Sequence, residues 1–268
     1  MHAQAPTARL SGIRLHPIKS LDPINVSEAR IGPAGGLELD RAWALYSADG
    51  RWVNGKRTVA IHPIRARFAP DLTSANLSVP GDRRNIPARD FAFPNATEDA
   101  AEWFSVYFDQ QIIVRYSADG FPDDTLAHGP TITSTASLKA ICDWFPGVEL
   151  ENVRQRFRTT LEVDGVPAFW EDQLFADSDR NAIRFRIGEV NFEGSNPCAR
   201  CPVPARDPQN GTDLPGFQKR FTALREAQLP STSPASRFDH FYRLATNTRV
   251  ASTEAGKILR LGDALEFS

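Results

Sequence analysis

The chain has 268 residues, of which 41% are apolar and 24% are charged, the proportions of an ordinary globular protein with one large or two modest domains. A formal net charge of −2 excludes a general electrostatic attraction to nucleic acid or anionic membranes. No apolar run approaches the ~20 residues of a membrane span, and the first residues lack the pattern of a secretory signal. We therefore expect a cytoplasmic protein that binds neither nucleic acid nor membrane.

Short segments of alternating hydropathy dominate the first half of the chain. They predict strands at Arg9–His16, Ile24–Ile31, Ala42–Tyr46, Arg51–Asn54, Ile61–Phe68, Asn76–Val79 and Gln111–Tyr116. One helix interrupts them, beginning at Asn95 or Thr97 and ending at about Phe108, with Trp103 on its apolar face. This pattern is typical of a β-barrel or β-sandwich.

A segment rich in Asp, Gly and Pro, Ser117–Pro130, indicates a connection between two domains. We place the boundary near residue 120, which gives domains at 1–120 and 121–268. The second part begins with a helix capped by Ser134 or Thr135, in which Cys142 shares the apolar face. A third helix is predicted around Phe221–Arg225.

The remaining predicted strands of the second part are Arg156–Val163, Ala182–Ile187, Val190–Glu193, His240–Arg249, Ile258–Leu261 and Ala264–Phe267. Gly188 and Glu189 have the composition of a tight hairpin turn. This hairpin would lead directly to Cys198 and hold it in a rigid position.

The run NPCARCPVPARDP, from Asn196 to Pro208, holds two of the three cysteines. A thiolate is the nucleophilic and metal-binding form of cysteine, and the adjacent guanidinium of Arg200 favours that charged form. The pair fits half of a zinc site, a dithiol redox couple, or a single soft thiolate ligand for a transition metal. An odd number of cysteines with one close pair is typical of a reducing compartment.

Two of these interpretations are weakened by the surrounding sequence. Structural zinc takes four ligands, whereas Cys142 has no partner at zinc-site spacing and the five histidines are scattered singly. A thioredoxin-like motif starts a helix, whereas the prolines of this run predict an extended loop. The thiolate ligand remains, with a pair of inert, partly buried thiols as its alternative.

Four motifs in a fixed order carry a resemblance to a known family. They are LHPIKSLDPI, GLELDRAWALYSADGRWV, NPCARC with its following Asp207-Pro208, and GKILRLGDALEF. In this order they resemble the MOSC family of molybdenum-cofactor sulfurase C-terminal domains, in the branch with an N-terminal β-barrel domain. Within that branch the chain is similar to small reductases such as the mitochondrial amidoxime-reducing component and its bacterial relatives. The likeness runs from about Leu10 to Phe267.

The resemblance implies a mostly β (α+β) fold, with an N-terminal β-barrel-like domain followed by a MOSC β-barrel domain with a few helices. It also implies the molybdenum cofactor, a pterin that bears a dithiolene and a phosphate. Such a group needs a soft metal ligand, cationic donors and hydroxyls. The corresponding residues are Cys201 as metal ligand, and Lys19, Ser20, Arg41, His128, Arg158, Thr160 and Arg200 as cofactor-binding residues.

The sequence departs from the family pattern in two places. Thr159 and Thr160 replace a Pro-Asn pair, and a threonine hydroxyl cannot reproduce both sides of an amide. The stretch Pro202–Ala205 replaces a hydroxyl-rich one. Asp207, by contrast, matches the family, where its carboxylate would relay protons in catalysis or hold the loop by accepting backbone amides.

The resemblance implies an oxidoreductase that removes an oxygen atom from a small N-oxygenated or S-oxygenated substrate. The chain has no four-cysteine cluster for an iron–sulfur centre, so electrons would come from a separate protein. Two alternatives stay open. One is sulfur transfer through a persulfide on Cys201 or Cys198, and the other is a carrier that holds the cofactor without catalysis.

Overall fold

A computed structural model describes residues 8–93, 97–178 and 180–268. In these ranges the strands are β1 (Arg9–Leu15), β2 (Ile24–Val26), β3 (Glu28–Arg30), β4 (Trp43–Ser47), β5 (Trp52–Val53), β6 (Arg65–Phe68), β7 (Ser74–Ser78), β8 (Arg89–Ala92), β9 (Ile112–Tyr116), β10 (Ile132–Ser134), β11 (Leu161–Asp164), β12 (Ile183–Ile187), β13 (Val190–Ala199), β14 (Arg243–Arg249), β15 (Ile258–Arg260) and β16 (Leu265–Phe267). The helices are α1 (Thr97–Phe108), α2 (Thr135–Trp144), α3 (Leu150–Phe157) and α4 (Phe217–Ala227). The mostly β fold is thus confirmed.

An eight-stranded sheet forms the largest layer, in the order β16-β12-β13-β14-β10-β11-β1-β2. Only β10 and β11 run parallel within it. Its two ends approach each other: Leu10 N in β1 donates to Asp263 O, just before β16, at 2.9 Å, and Leu265 N in β16 donates to Ala8 O, just before β1, at 2.8 Å. The sheet therefore curls like a barrel, although the described strands form open sheets instead of one closed cylinder.

Three smaller sheets complete the β structure. Strands β5-β4-β9 and β6-β7-β8 lie in the first half of the chain, and β15 pairs with β3. The first two of these sheets share a hydrophobic core with α1, whose Ala100, Trp103, Phe104 and Tyr107 are buried. The predicted apolar face of this helix is confirmed from Thr97 onward, whereas Asn95 lies outside the described residues.

The earliest strand of the chain belongs to the sheet of the second half. β1 pairs antiparallel with β11, from Arg9 opposite Asp164 to Ile13 opposite Leu161. The apolar side chains of residues 8–15 share a core with those of residues 161–192 and 259–265. The hydrophobic cores therefore do not follow the order of the chain, and the boundary near residue 120 remains a prediction about the sequence.

Helix α2 begins where the sequence predicts, because the Ser134 side chain accepts the amide hydrogen of Ser137 as an N-terminal cap. Its Cys142 is half-buried and packs against the core that the apolar face of α2 helps to form. The predicted strand Arg156–Val163 is wrong at its start, since residues 150–157 form helix α3 and β11 begins at Leu161. Val153 and Phe157 fall on one face of α3, a helical spacing that the strand prediction overlooked.

The predicted hairpin is present as β12 and β13, which pair from Ile183 opposite Gly194 to Ile187 opposite Val190. Strand β13 is longer than expected and runs through Cys198 to Ala199, so the first four residues of the cysteine run are strand, not loop. Within the described residues, no helix combines the length and hydropathy needed to cross a bilayer.

Candidate functional site

A cavity of about 580 Å³ lies where the two halves of the chain meet. Its lining combines the turn after β1, the segment Ser117–Pro130, the end of α3 and the cysteine run after β13. All the predicted cofactor-binding residues and the predicted metal ligand line it: Lys19, Ser20, Arg41, His128, Arg158, Thr160, Arg200 and Cys201. The fold thus brings together residues that lie as far as 182 positions apart in sequence.

The two thiols of the cysteine run have different surroundings. Cys198, at the end of β13, is half-buried, and its Sγ receives a hydrogen bond from Arg200 Nη1 at 3.0 Å. Arg200 is fixed in turn because its Nη2 donates to the Phe157 carbonyl. Cys201 is exposed and also faces the cavity. Arg200 therefore contacts Cys198, while Cys201 is the more accessible thiol.

Two arginines hold the loop that follows Cys201. Arg156, buried on α3, donates through Nη1 to Pro204 O at 3.0 Å and to Arg206 O at 2.6 Å. Arg65, from β6, donates to Pro208 O at 3.1 Å. The loop is thus attached both to α3 and to the first half of the chain.

Lys19 and Ser20 occupy the turn after β1. Ser20 adopts φ 76°, a left-handed conformation, and its Oγ accepts the Gly55 amide hydrogen at 3.1 Å. Lys19 Nζ donates to the Phe121 carbonyl at 2.9 Å and lies 2.7 Å from Asp123 Oδ1. The lysine charge is therefore present at the cavity wall but already paired.

Arg41 is the second cation of this wall. Its Nη1 donates to Asp40 Oδ2, and its Nη2 donates to Arg158 O at 3.3 Å. Burial alone would raise the pKa of Asp40, but Arg41 and the His16 contacts lower it below its usual value. Burial lowers the pKa of His16 to about 3, so its imidazole is neutral beside this charged pair.

Arg158 ends α3 in a left-handed conformation, with φ 52°. Its Nη2 donates to the Leu21 carbonyl at 2.7 Å. Burial, followed by the neighbouring charge of Arg41, lowers its pKa to about 10, so the guanidinium remains cationic at neutral pH. Two cationic side chains thus lie close enough to repel each other, an arrangement that an anionic ligand would stabilise.

Thr160 and Arg200 carry polar atoms without a partner. Thr160 is only 1% exposed, and neither its Oγ1 nor Arg200 Nε forms a hydrogen bond within the described structure. A buried unpaired polar atom costs about 1–3 kcal/mol. Such atoms beside a cavity could be satisfied by a ligand with complementary donors and acceptors.

For two of the predicted site residues, His128 and Asp207, the contacts support the predicted role less directly. His128 is exposed at the cavity, and its Nε2 contacts the Thr125 carbonyl. Asp207 is not among the described residues that line the cavity; its Oδ1 accepts the amide hydrogens of Gln209 at 2.9 Å and Asn210 at 3.2 Å. This arrangement corresponds to the loop-holding role of the two considered for Asp207, whose catalytic role remains a prediction.

Sequence reasoning missed several residues of this site, chiefly Asp123, Arg156 and Arg65. Asp123 lies in the Asp-rich connection, whose composition indicated only a linker. The arginines act on backbone carbonyls far away in sequence, and no local pattern reveals such contacts. Among the described residues, no group of three or more His, Cys, Asp or Glu side chains could hold a metal ion.

Fold and site together define a mostly β protein with a cation-lined cavity that carries two thiols. The chain belongs to the MOSC family: the model of the MOSC N-terminal beta barrel domain matches residues 7–111, and that of the MOSC domain matches residues 131–266. MOSC domains are usually associated with binding of the molybdenum cofactor. The family assignment made from the four sequence motifs is thereby confirmed.

Solved structures give weaker likenesses, and a search of curated proteins finds no significant match. The YuaD protein from Bacillus subtilis is 12% identical over 97% of this chain and 95% of that chain, with a TM-score of 0.35. A crystal structure described as a hypothetical protein is 16% identical, with a TM-score of 0.28. That match covers 54% of each chain, so this chain spans about half of that protein.

Proposed function

We propose that the protein is a molybdenum-cofactor-dependent reductase that removes an oxygen atom from a small N-oxygenated or S-oxygenated substrate. The observation that carries the proposal is the position of Cys201, whose exposed thiol faces the same cavity as Lys19, Arg41 and Arg158. A thiolate and several cations are the groups that a phosphate-bearing metal cofactor requires.

The residues present fit this cofactor. The partnerless Thr160 Oγ1 and Arg200 Nε offer hydrogen bonds that the protein itself leaves unmade. The cavity volume of about 580 Å³ lies within the ~300–1,000 Å³ range of small-molecule and cofactor sites.

Each side chain then has a defined task. Cys201 would supply the protein thiolate to the metal, and Lys19 and Arg41 would bind the phosphate. Arg158 is fixed by its bond to the Leu21 carbonyl and would present a guanidinium edge to the pterin. When bound, the cofactor supplies the two-electron chemistry that takes up the oxygen atom. Asp207 and Arg156 would keep the Cys201 loop in place.

Molybdenum content tests this assignment. The chain is expressed in a host that makes the cofactor, and molybdenum and zinc per chain are measured by elemental mass spectrometry. We expect near-stoichiometric molybdenum in the wild type and in Cys198→Ser, and its loss in Cys201→Ser. Retention at the wild-type level in Cys201→Ser would remove the metal-ligand assignment.

Turnover tests the reaction. The loaded protein, supplied with electrons from a reduced viologen dye, should convert an amidoxime to an amidine, consuming two electrons and two protons and releasing water. Molybdenum without turnover on any N-oxygenated or S-oxygenated compound would instead support a cofactor carrier. The physiological electron donor would be a separate protein that docks near the cavity.

Sulfur transfer is the second candidate, favoured by the 3.0 Å contact between Arg200 Nη1 and Cys198 Sγ. A guanidinium at this distance would stabilise the negative charge of a persulfide on Cys198. Under this function the purified chain would carry an extra sulfur atom on Cys198 and no molybdenum. Intact-mass and peptide mass spectrometry distinguish that result from the metal-loaded protein.

A further inference from the structure

Asp123 places a carboxylate directly against the proposed phosphate-binding cations. Its Oδ1 lies 2.7 Å from Lys19 Nζ, and its Oδ2 lies 3.9 Å from Arg41 Nε. The Asp123 side chain is 74% exposed and faces the cavity, whereas those of Lys19 and Arg41 are only 12% and 18% exposed. A ligand that enters the cavity therefore meets the carboxylate before it meets the charges that the carboxylate covers.

The backbone on either side of Asp123 is anchored. Phe121 N donates to Arg41 O at 3.0 Å, and the Phe121 ring contacts Trp52 with centroids 5.8 Å apart. On the other side, Asp124 Oδ2 accepts a hydrogen bond from Asn247 Nδ2 at 3.1 Å. The Asp123 carboxylate can thus leave Lys19 by side-chain rotation into the open cavity, while the main chain stays in place.

We propose that Asp123 is a built-in counter-ion that an incoming phosphate group must replace on Lys19. This inference rests on the proposed function, because it assumes that Lys19 and Arg41 form the phosphate-binding site. A phosphate monoester carries nearly two negative charges and three strong acceptor oxygens, so it outcompetes one water-exposed carboxylate. A small monoanion carries no such advantage. Asp123 would therefore select dianionic phosphate groups over monoanions.

Inorganic phosphate is the probe that tests this selection. The full-length chain is prepared from a host that cannot make the molybdenum cofactor, and phosphate affinity is measured by isothermal titration calorimetry. Asp123→Asn removes the charge and keeps the shape of the side chain. We expect it to bind phosphate about 5- to 10-fold more tightly than the wild type, the effect of removing one nearby, partly screened charge. Acetate should compete with phosphate more strongly in this variant.

Asp119→Asn is the matched control. Asp119 is an exposed carboxylate on the same connecting segment and also lines the cavity, but the ion pairs of Lys19 and Arg41 among the described residues are with Asp123 and Asp40 and not with Asp119. Its removal should change phosphate affinity by less than about twofold, because a solvated charge outside the contact is well screened. Equal tightening in both variants would reduce the Asp123 effect to general electrostatics and overturn the proposal.

Lys19→Gln separates this inference from the proposed function. Loss of phosphate binding in Lys19→Gln, with unchanged or weaker binding in Asp123→Asn and Asp123→Ala, would overturn the counter-ion role and leave the phosphate site standing. In that case Asp123 would hold the lysine in position for its ligand. Phosphate binding that is equal in Lys19→Gln and the wild type, or absent from every variant, would overturn both.

Discussion

Thr160 is a single residue whose energetic role differs from that of other buried threonines. Its Oγ1 has no hydrogen-bond partner in the described structure, whereas the equally buried Thr133 donates to Glu171 Oε1 at 3.0 Å. A hydroxyl that stays unpaired in the absence of ligand weakens the fold and strengthens the ligand complex. Under the proposed function, Thr160 would therefore contribute to cofactor binding at a cost in stability.

We expect Thr160→Val to stabilise the cofactor-free chain by about 1 kcal/mol, since an unpaired buried hydroxyl is replaced by an apolar group of the same shape. The same variant should retain less molybdenum when it is expressed with the cofactor. Urea unfolding gives the free energy, and elemental mass spectrometry gives the metal content.

Thr133→Val is the control, because it should lower the free energy of unfolding, which Thr160→Val is expected to raise. It leaves Oε1 of the buried Glu171 without the Thr133 donor, while Oε2 keeps the hydrogen bond from Ser137, and it should destabilise the chain by about 1–3 kcal/mol. If both variants destabilise the cofactor-free protein equally, Thr160 Oγ1 is paired in solution and its role in ligand binding fails.

The predictability of single residues depends on how local their role is. Lys19, Arg41 and Cys201 stand in sequence motifs from which their roles as cofactor-binding residues or metal ligand could be predicted. All three line the cavity. Asp123 could not be found in this way, because its position against Lys19 depends on a loop anchored through Phe121. A carboxylate in an Asp-rich connection looks like a solvated charge until the fold places a cation beside it.

Helix α3 is the element on which the cysteine loop depends. Arg156 on this helix donates to two carbonyls of the loop, Pro204 O and Arg206 O. A lysine has no counterpart of Arg156 Nε, which donates to Asn152 Oδ1 at 2.6 Å, so its single ammonium cannot keep that anchor and also reach both carbonyls. The loop would then open locally more often.

We expect Arg156→Lys to raise amide hydrogen exchange in residues 200–208 about tenfold, the effect of losing ~1.4 kcal/mol of hydrogen bonding. Hydrogen exchange read by mass spectrometry localises the change. Arg154→Lys, on the same helix, is the control: Arg154 pairs with Glu162 and does not contact the loop. Equal exchange in residues 200–208 of both variants would contradict the attachment through Arg156.

Helix α3 is also the helix that the sequence did not predict. The helices α1, α2 and α4 could be predicted because their apolar spacing is uninterrupted. In α3 the exposed face is strongly polar and the helix is only eight residues long, so its apolar positions resembled the start of a strand. The left-handed Arg158 then ends the helix without a glycine, the residue that usually signals such an end.

At the scale of the whole molecule, the two halves are joined by strands as well as by a linker. β1 pairs with β11, and residues 8–15 contribute to the core of the large sheet. A fragment of residues 121–268 would expose the edge of β11 and lose part of that core. Exposed apolar surface and an unpaired edge both oppose independent folding.

We expect the fragment 121–268 to show no cooperative thermal unfolding transition by circular dichroism. Co-expression with the fragment 1–120 should restore one, because β1 can then pair with β11. A cooperative transition in the isolated C-terminal fragment would contradict this dependence and would support residue 120 as a boundary between independently folding domains.

Global organisation was predictable only in outline. The many short strands indicated a mostly β fold, and the order of motifs indicated the family. Strand pairing was not predictable. The partner of β1 lies about 150 residues away, and alternating hydropathy shows that a segment forms a strand without showing which other strand it pairs with. The turn after β1, which brings Lys19 and Ser20 to the cavity, follows a strand placed by that pairing.

The pairing of β1 with β11 also has a consequence for biosynthesis. Translation at ~5–20 residues per second leaves Arg9 waiting on the order of 10–30 s for Asp164 to be polymerised. During this interval the helix and strands between residues 18 and 112 can collapse around their own core, and β1 can pair with β2, while the edge of β1 that pairs with β11 stays open. Ribosome-associated chaperones that shield such a segment would therefore govern the yield of this protein.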